Sequence, residues 1–112
     1  MKVEFHLEAR AELEELRQRD PQEYRAMQAA VEKLGVFGDQ LPHPHSSNVQ
    51  GGSKLRELRP RGGKSRYRAF YRRIGNVIVV GSVGPEARHD PQGFRRATAD
   101  AERRLAKIDS GG

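Results

Sequence analysis

The chain has 112 residues, which fits a single domain of residues 1–112 with a modest core, since only 35% of the residues are hydrophobic. The absence of cysteine excludes disulfides, cysteine-ligated zinc and thiol nucleophiles. The longest nearly apolar stretch, residues 77–83, is far shorter than the roughly 20 residues of a membrane-spanning helix, and the N-terminus lacks the apolar core of a signal peptide. We therefore expect a cytoplasmic protein without a membrane partner.

The formal net charge of +6 is unevenly distributed. Residues 54–73 carry nine basic side chains against a single acid, Glu57. A basic cluster of this density is typical of a surface that binds phosphate groups, and we expect a polyanion partner, in the first place RNA. The alternatives are a solvated face, or a face that pairs with an acidic protein partner.

The first third of the sequence predicts a strand followed by two helices. Residues 2–7 alternate apolar and polar side chains, as in a strand with one buried face. Residues 8–19 change to helical spacing. Asp20-Pro21 ends that helix and begins the next, whose apolar stripe runs to Leu34 and which we expect to stop at Gly35. The two helices are expected to form an antiparallel hairpin on the sheet.

The remainder predicts a long loop, three strands and a final helix. Residues 36–53 are rich in Gly, Pro, His and Ser and show no period. Strands are expected over residues 54–59, 66–73 and 76–83, separated by glycine-containing turns, and they should form an antiparallel meander. Asp90-Pro91 repeats the cap-plus-proline signal for a helix over residues 91–108, with a frayed tail from 109 to 112.

These elements predict an α+β fold. Its antiparallel sheet contains the N-terminal strand and the meander, and it is packed by the helical hairpin and the C-terminal helix. Two histidines in the long loop, His43 and His45, form a His-Pro-His sequence. Two ligands without a third are poor grounds for a metal site, and we predict neither a metal nor a cofactor.

The strand over residues 66–73 concentrates the basic side chains. Alternation places Arg66, Arg68, Phe70 and Arg72 on one face of the sheet. Such a face suits RNA, because guanidinium groups bind phosphates through paired hydrogen bonds and bases stack on Phe or on Arg planes. The alternative is that Phe70 packs beneath a helix while the arginines reach water. The predicted RNA contacts are Lys54, Arg56, Arg61, Lys64, Arg66, Phe70 and Arg72.

The order of elements and motifs resembles a known superfamily. Residues 55–59 read LRELR, Gly62-Gly63 follow in the turn, and residues 67–71 read YRAFY. An apolar strand comes next, and then a proline that opens a helix with Ala97 and Arg103-Arg104 downstream. In this order the chain resembles the RelE/ParE superfamily of type II toxins, and it is most similar to the HigB-like, phage-derived branch.

The resemblance implies a compact RelE-like fold and the toxin component of a toxin–antitoxin system. It implies a metal-independent mRNA endoribonuclease that often acts on the ribosome and inhibits translation. The RNA 2′-OH attacks the adjacent phosphate, helped by a base, an acid and cations. Arg68 matches the arginine expected to bind the scissile phosphate, and Arg59 matches a basic position. Glu57 is either the base or a partner for neighbouring arginines.

The same resemblance implies an antitoxin, of helix-turn-helix type, that covers the basic face. The match weakens at residues 83–86, where HigB-like chains carry Phe-x-Lys-Lys and this chain reads Val-Gly-Pro-Glu. Arg88 as an electrostatic stabiliser and His89 as a general acid are the candidate substitutes. In another register, residues 83–84 and Arg88 match a Val-Gly-x-Arg segment of RelE. The alternative function is a weak or inactive toxin-fold protein that binds nucleic acid or inhibits a protein target such as gyrase.

Overall fold

The structure is a computed structural model that describes residues 1–51 and 54–109. It contains three α-helices, five strands and two short 3-10 helices, at Gly38–Gln40 and Pro60–Gly63. The predicted α+β class is confirmed. None of the helices in the described ranges is long and apolar enough to cross a membrane. In chain order the main elements are β1 (Lys2–Phe5), α1 (Leu7–Arg19), α2 (Pro21–Phe37), β2 (Ser46–Asn48), β3 (Arg56–Leu58), β4 (Tyr67–Ile74), β5 (Val77–Pro85) and α3 (Pro91–Asp109).

Local capping determines where the helices begin and end. The Asp20 carboxylate accepts a hydrogen bond from the Glu23 N–H at 3.3 Å and caps α2, while the Asp90 carboxylate accepts from the Gly93 N–H at 2.9 Å in the first turn of α3. Both Asp-Pro predictions are therefore confirmed. The predicted stop of α2 at Gly35 is wrong, because the helix continues to Phe37 and ends at Gly38, whose φ of 54° is the left-handed one.

The five strands form one mixed sheet in the order β1-β5-β4-β3-β2. The antiparallel meander of β3, β4 and β5 is confirmed. In contrast to the predicted, wholly antiparallel sheet, β1 pairs with β5 in parallel, from Lys2 opposite Val77 to Phe5 opposite Val80. The alternation in β1 determines which side chains face the core but carries no information about the direction of the neighbouring strand.

The fifth strand, β2, lies within the segment predicted to be a loop over residues 36–53. It pairs antiparallel with β3, from Ser46 opposite Leu58 to Asn48 opposite Arg56. Its sequence, Ser-Ser-Asn, is short and polar, so no apolar period marks it as a strand. Its pairing with β3 brings the long loop to the edge of the sheet next to the basic strands.

The helices cover the two faces of the sheet. On one face α1 and α2 pack over a core that includes Leu16, Met27, Leu34, Ile78 and Val80. On the other face α3 packs over Phe70 and Val79, and its own Leu105 belongs to the same core cluster. This helix lies directly on β5. A Cβ added to Gly84 of β5 would come within 2.6 Å of the Cβ of Ala97 in α3, so only a glycine fits there. The start of α3 is thereby fixed beside the start of β4.

A buried charge cluster joins both layers. Arg104 of α3 is 8% exposed, and its guanidinium contacts the carboxylates of Glu8 at 2.8 Å and Glu12 at 3.1 Å. It also donates a hydrogen bond to the Gly81 carbonyl at 2.9 Å. Burial by itself lowers the pKa of Arg104, but the hydrogen bonds and attraction of Glu12, with the charges of Glu8 and Asp100, raise it above its ordinary value.

We expect Arg104→Ala to destabilise the fold by about 3 kcal/mol, because it leaves the partly buried Glu12 carboxylate and the buried Gly81 carbonyl without their partner. The matched control is Arg103→Ala, because the Arg103 side chain is 57% exposed and forms a surface ion pair with Asp100. The control should cost less than about 1 kcal/mol. Urea unfolding followed by circular dichroism measures both, and equal losses would contradict a structural role for this cluster.

Candidate nucleic-acid interface

A cleft of about 540 Å³ opens where β4 begins, beside the start of α3. Its lining includes five cationic side chains and two carboxylates, those of Glu57 and Glu86. We call it the Arg68 cleft. The cationic side chains give it a net positive field that favours an anionic ligand. The lining consists of Glu57, Arg59, Gly63, Lys64, Ser65, Arg66, Arg68, Glu86, Ala87, Arg88 and Phe94.

Arg68 is part of this lining and is only 3% exposed. Its Nη1 donates to the carbonyls of Ser65 at 2.7 Å and Tyr67 at 3.0 Å, and its Nη2 donates to the Gly63 carbonyl at 3.2 Å. Three backbone carbonyls therefore fix the plane of the guanidinium. Burial lowers the pKa of Arg68, while the charges of Glu57 and Glu86 act in the opposite direction.

One N–H group of this guanidinium, that of Nε, donates no hydrogen bond to the described protein atoms. The Nε is buried and has no hydrogen-bond partner. It lies 3.8 Å from Glu57 Oε2, and Nη2 lies 3.9 Å from Glu86 Oε2. These distances are too long for hydrogen bonds. Nε and Nη2 point from the same edge of the planar group, which is the edge that binds carboxylate or phosphate oxygens in pairs.

The loop before β4 produces the carbonyl cradle. Arg61, Gly62 and Gly63 have consecutive positive φ values of 56°, 63° and 95°, which turn the chain back over the start of β4. The buried carboxylate of Glu23 in α2 binds this loop, since it accepts hydrogen bonds from the Ser65 hydroxyl and from Arg61 at 2.7 Å. Sequence reasoning missed Glu23, because its position at the start of α2 gives no sign of a distant partner.

Glu57 and Arg59, both predicted catalytic residues, lie together beside Arg68. Arg59 donates to Glu57 Oε1 at 2.9 Å and to the Pro44 carbonyl at 2.9 Å. The Ser47 hydroxyl donates to the same Glu57 oxygen at 3.1 Å. The contacts from Pro44 and Ser47 were missed, because they come from the long loop and from β2. The loop therefore positions the catalytic candidates.

Arg88 and His89, the two predicted substitutes for the lysines of HigB-like chains, line different cavities. Arg88 is exposed and lines the Arg68 cleft. His89 instead lines a second cavity of about 300 Å³ with Glu12, Asp90 and Asp100. His89, the expected general acid, therefore lines a different cavity from Arg68. Glu86, which sequence reasoning treated only as a lost lysine, lies in the cleft beside Arg68.

Phe70 cannot stack on a base. It is fully buried, and its ring packs edge to face against Phe94 with the ring centroids 5.4 Å apart. The predicted stacking role is wrong, and the alternative, that Phe70 packs beneath a helix, is confirmed. Arg72 on the same face lies under the end of α3, where it donates to the Leu105 carbonyl and to Asp109. It acts there as a C-terminal cap.

The other predicted RNA contacts divide into two groups. Lys64 and Arg66 are exposed and line the Arg68 cleft. Arg56 and Arg61 are bound to the protein itself, since Arg56 donates to Ser46 and Asn48 of β2 and Arg61 donates to Glu23. Lys54 is exposed but lies outside the cleft lining. Within residues 1–51 and 54–109, no three His, Asp or Glu side chains form a group suited to a metal ion.

Comparison with known proteins agrees with this architecture. Residues 14–83 match the family of phage-derived Gp49-like proteins (DUF891). The chain belongs to this family, which is of the RelE/HigB toxin type. Among solved structures, the fold is similar to that of the YoeB dimer from Staphylococcus aureus, with a TM-score of 0.58 and 13% identity, over 73% of this chain and 92% of that chain. The search of curated protein sequences found no match. The predicted RelE-like fold is confirmed.

We expect Gly63→Ala to destabilise the protein by about 2 kcal/mol. Gly63 has a φ of 95°, and an added Cβ would come within 2.5 Å of Arg59 Nη2. The matched control is Gly75→Ala, which has a φ of 61° and nothing within 4 Å of the added Cβ. The control should cost about 1 kcal/mol. Denaturant unfolding measures the loss of stability in both variants. If Gly63→Ala lost no more stability than Gly75→Ala, the close packing of Arg59 on this turn would be contradicted.

Proposed function

We propose that this chain is the toxin of a type II toxin–antitoxin pair and that it cleaves mRNA in the Arg68 cleft, with the ribosome as its working site. The observation that carries the proposal is the buried guanidinium of Arg68, which three carbonyls hold in a cationic cleft while its Nε has no hydrogen-bond partner among the described residues. Membership of a RelE/HigB-type family supports the same conclusion.

The reaction that suits this cleft is an internal transesterification. The ribose 2′-oxygen attacks the adjacent phosphorus and loses its proton to a base, while the bond from phosphorus to the 5′-oxygen breaks and that oxygen gains a proton. The products are a 2′,3′-cyclic phosphate and a 5′-hydroxyl. Charge develops on the phosphoryl oxygens, and cations placed there in advance lower the barrier.

Arg68 is assigned to the phosphate. Its Nε and Nη2 would bind two phosphoryl oxygens, and the cradle of carbonyls keeps that edge oriented without reorganisation during the reaction. Arg59 and the exposed Arg88 also line the cleft and add positive charge to it. Arg88 thus takes the stabilising role that lysines have in HigB-like chains.

The two carboxylates beside Arg68 are assigned to proton transfer. Glu57 lies 3.8 Å from Nε and is oriented by Ser47 and Arg59, which supports its assignment as the base. Glu86 lies 3.9 Å from Nη2 and is the second carboxyl group within reach of a phosphate bound there. We assign it to protonation of the leaving 5′-oxygen, the role first expected of His89.

The second candidate function is a toxin-fold protein that binds without cleaving. Glu86 favours it, because this carboxylate occupies the segment where HigB-like chains carry lysines and reduces the positive charge of the cleft. In either case the antitoxin is expected to neutralise the chain by covering the basic cleft with an acidic segment, since opposite charges complement each other across such contacts.

Inducible expression in a bacterial host separates the two functions. We expect growth arrest and new mRNA 5′ ends with the wild type, and the loss of both with Arg68→Ala. Arg73→Ala is the matched control, because Arg73 lies on the same strand but pairs with Asp39 outside the cleft. Circular dichroism of both purified variants checks that the folds persist. Arrest without new ends would favour a protein target, and normal growth with soluble wild type would contradict the ribonuclease.

Salt dependence tests the cleft as a phosphate-binding surface. The affinity for a single-stranded RNA whose 2′-hydroxyls are replaced by hydrogen should fall by about 0.7 log units per log unit of salt for each contacted phosphate. Arg88→Ala should reduce that slope by about 0.7. Arg25→Ala, an exposed arginine of α2 outside the Arg68 cleft, is the control and should leave the slope unchanged. A flat response of the wild type would contradict binding through phosphates.

A further inference from the structure

Among the described residues that line the Arg68 cleft, Phe94 has the aromatic side chain. It lies in the first turn of α3 and is half-buried. One part of its ring packs against the second core, with Phe70 at a centroid distance of 5.4 Å and an interplanar angle of 74°. The remainder borders the same cleft as Arg68 and Arg88.

We propose that Phe94 forms a nucleobase subsite, on which an unpaired base of the bound strand stacks while Arg68 binds a neighbouring phosphate. The inference rests on the proposed RNA-binding function and adds to it the group that recognises a base. Single-stranded RNA is bound in this way by proteins that combine cations for the backbone with an aromatic side chain for a base.

The position of Phe94 is fixed before any ligand binds. The Phe94 N–H donates to the Asp90 carbonyl at 2.9 Å, and the Gly93 N–H donates to the Asp90 carboxylate at 2.9 Å. A Cβ at Gly93 would lie 2.6 Å from the Pro85 Cγ, so the start of α3 is packed against the end of β5. Phe70 supports the ring from behind. A ring held in this way loses little entropy when a base binds.

Stacking on Phe94 has a consequence for selectivity. Every base has a π-face, so a single phenyl ring accepts all of them and adds affinity without strict sequence preference. The subsite therefore selects for a base that is unpaired and turned out of a stack. Single-stranded RNA fits this requirement, whereas a continuous duplex keeps its bases stacked.

The test uses equilibrium binding of short single-stranded RNAs whose 2′-hydroxyls are replaced by hydrogen, so that no cleavage occurs. We expect Phe94→Leu to weaken binding by about 5- to 150-fold, the range measured for loss of a stacked base, and Phe94→Tyr to bind as the wild type. Leucine keeps the core contact with Phe70 but has no π-face. Thermal unfolding of both variants checks the fold.

A series of RNAs with one abasic residue at successive positions identifies the stacked base. At one position, removing the base should weaken binding to the wild type as much as the Phe94→Leu substitution weakens binding of intact RNA. With that abasic RNA, the wild type and Phe94→Leu should bind with equal affinity. A Phe94→Leu protein that is folded and binds intact RNA like the wild type would overturn the subsite. The subsite would also be overturned if Phe94→Leu bound every abasic RNA more weakly than the wild type does.

Arg68→Ala in the same assay distinguishes failure of the subsite from failure of the proposed function. If the wild type binds RNA and Arg68→Ala does not, while Phe94→Leu binds normally, only the subsite is rejected. If the wild type binds no RNA at micromolar concentrations, the proposed function and the subsite are both rejected.

Discussion

Burying a guanidinium group costs several kcal/mol unless its N–H groups find acceptors. Arg68 meets this constraint at Nη1 and Nη2, with carbonyls from Gly63 and Ser65 in the loop before its strand and from Tyr67 at the start of the strand itself. The loop must therefore adopt the consecutive left-handed conformations that direct its carbonyls inward, and it must be held in place by an element outside the sheet. Glu23 of α2 does so. The orientation of one buried side chain thus depends on a helix from the other face of the sheet.

The cleft is assembled from segments that are distant in the sequence. The long loop and β2 orient Glu57 and Arg59, the turn before β4 orients Arg68, and the connection from β5 to α3 supplies Glu86 and Arg88. Small residues let α3 lie directly on β5, so that its first turn borders the cleft rather than covering it. Positive charge would attract an RNA strand over the whole cleft, and in the proposed function the unpaired Nε of Arg68 determines where a phosphate binds.

Periodicity and capping signals predicted most of the fold, because they report local burial. The Asp20-Pro21 and Asp90-Pro91 starts and the meander are examples. The direction of β1 and the existence of β2 depend on tertiary pairing and leave no local signal. In the site, the two-residue spacing predicted that Glu57 and Arg59 share a face, and the two are hydrogen-bonded. It could not tell that Phe70 is covered by α3, nor that His89 points to another cavity, because both depend on where α3 packs.

The most direct test of the central claim, that Arg68 binds the scissile phosphate, is the NMR signal of its side-chain Nε–H during titration with an uncleavable single-stranded RNA. In the free protein this group has no hydrogen-bond partner among the described residues. The account predicts that its signal shifts downfield in proportion to saturation and becomes protected from exchange, while the Nε–H of Arg73 on the same strand does not change. RNA binding that saturates without any change at Arg68 would contradict the account.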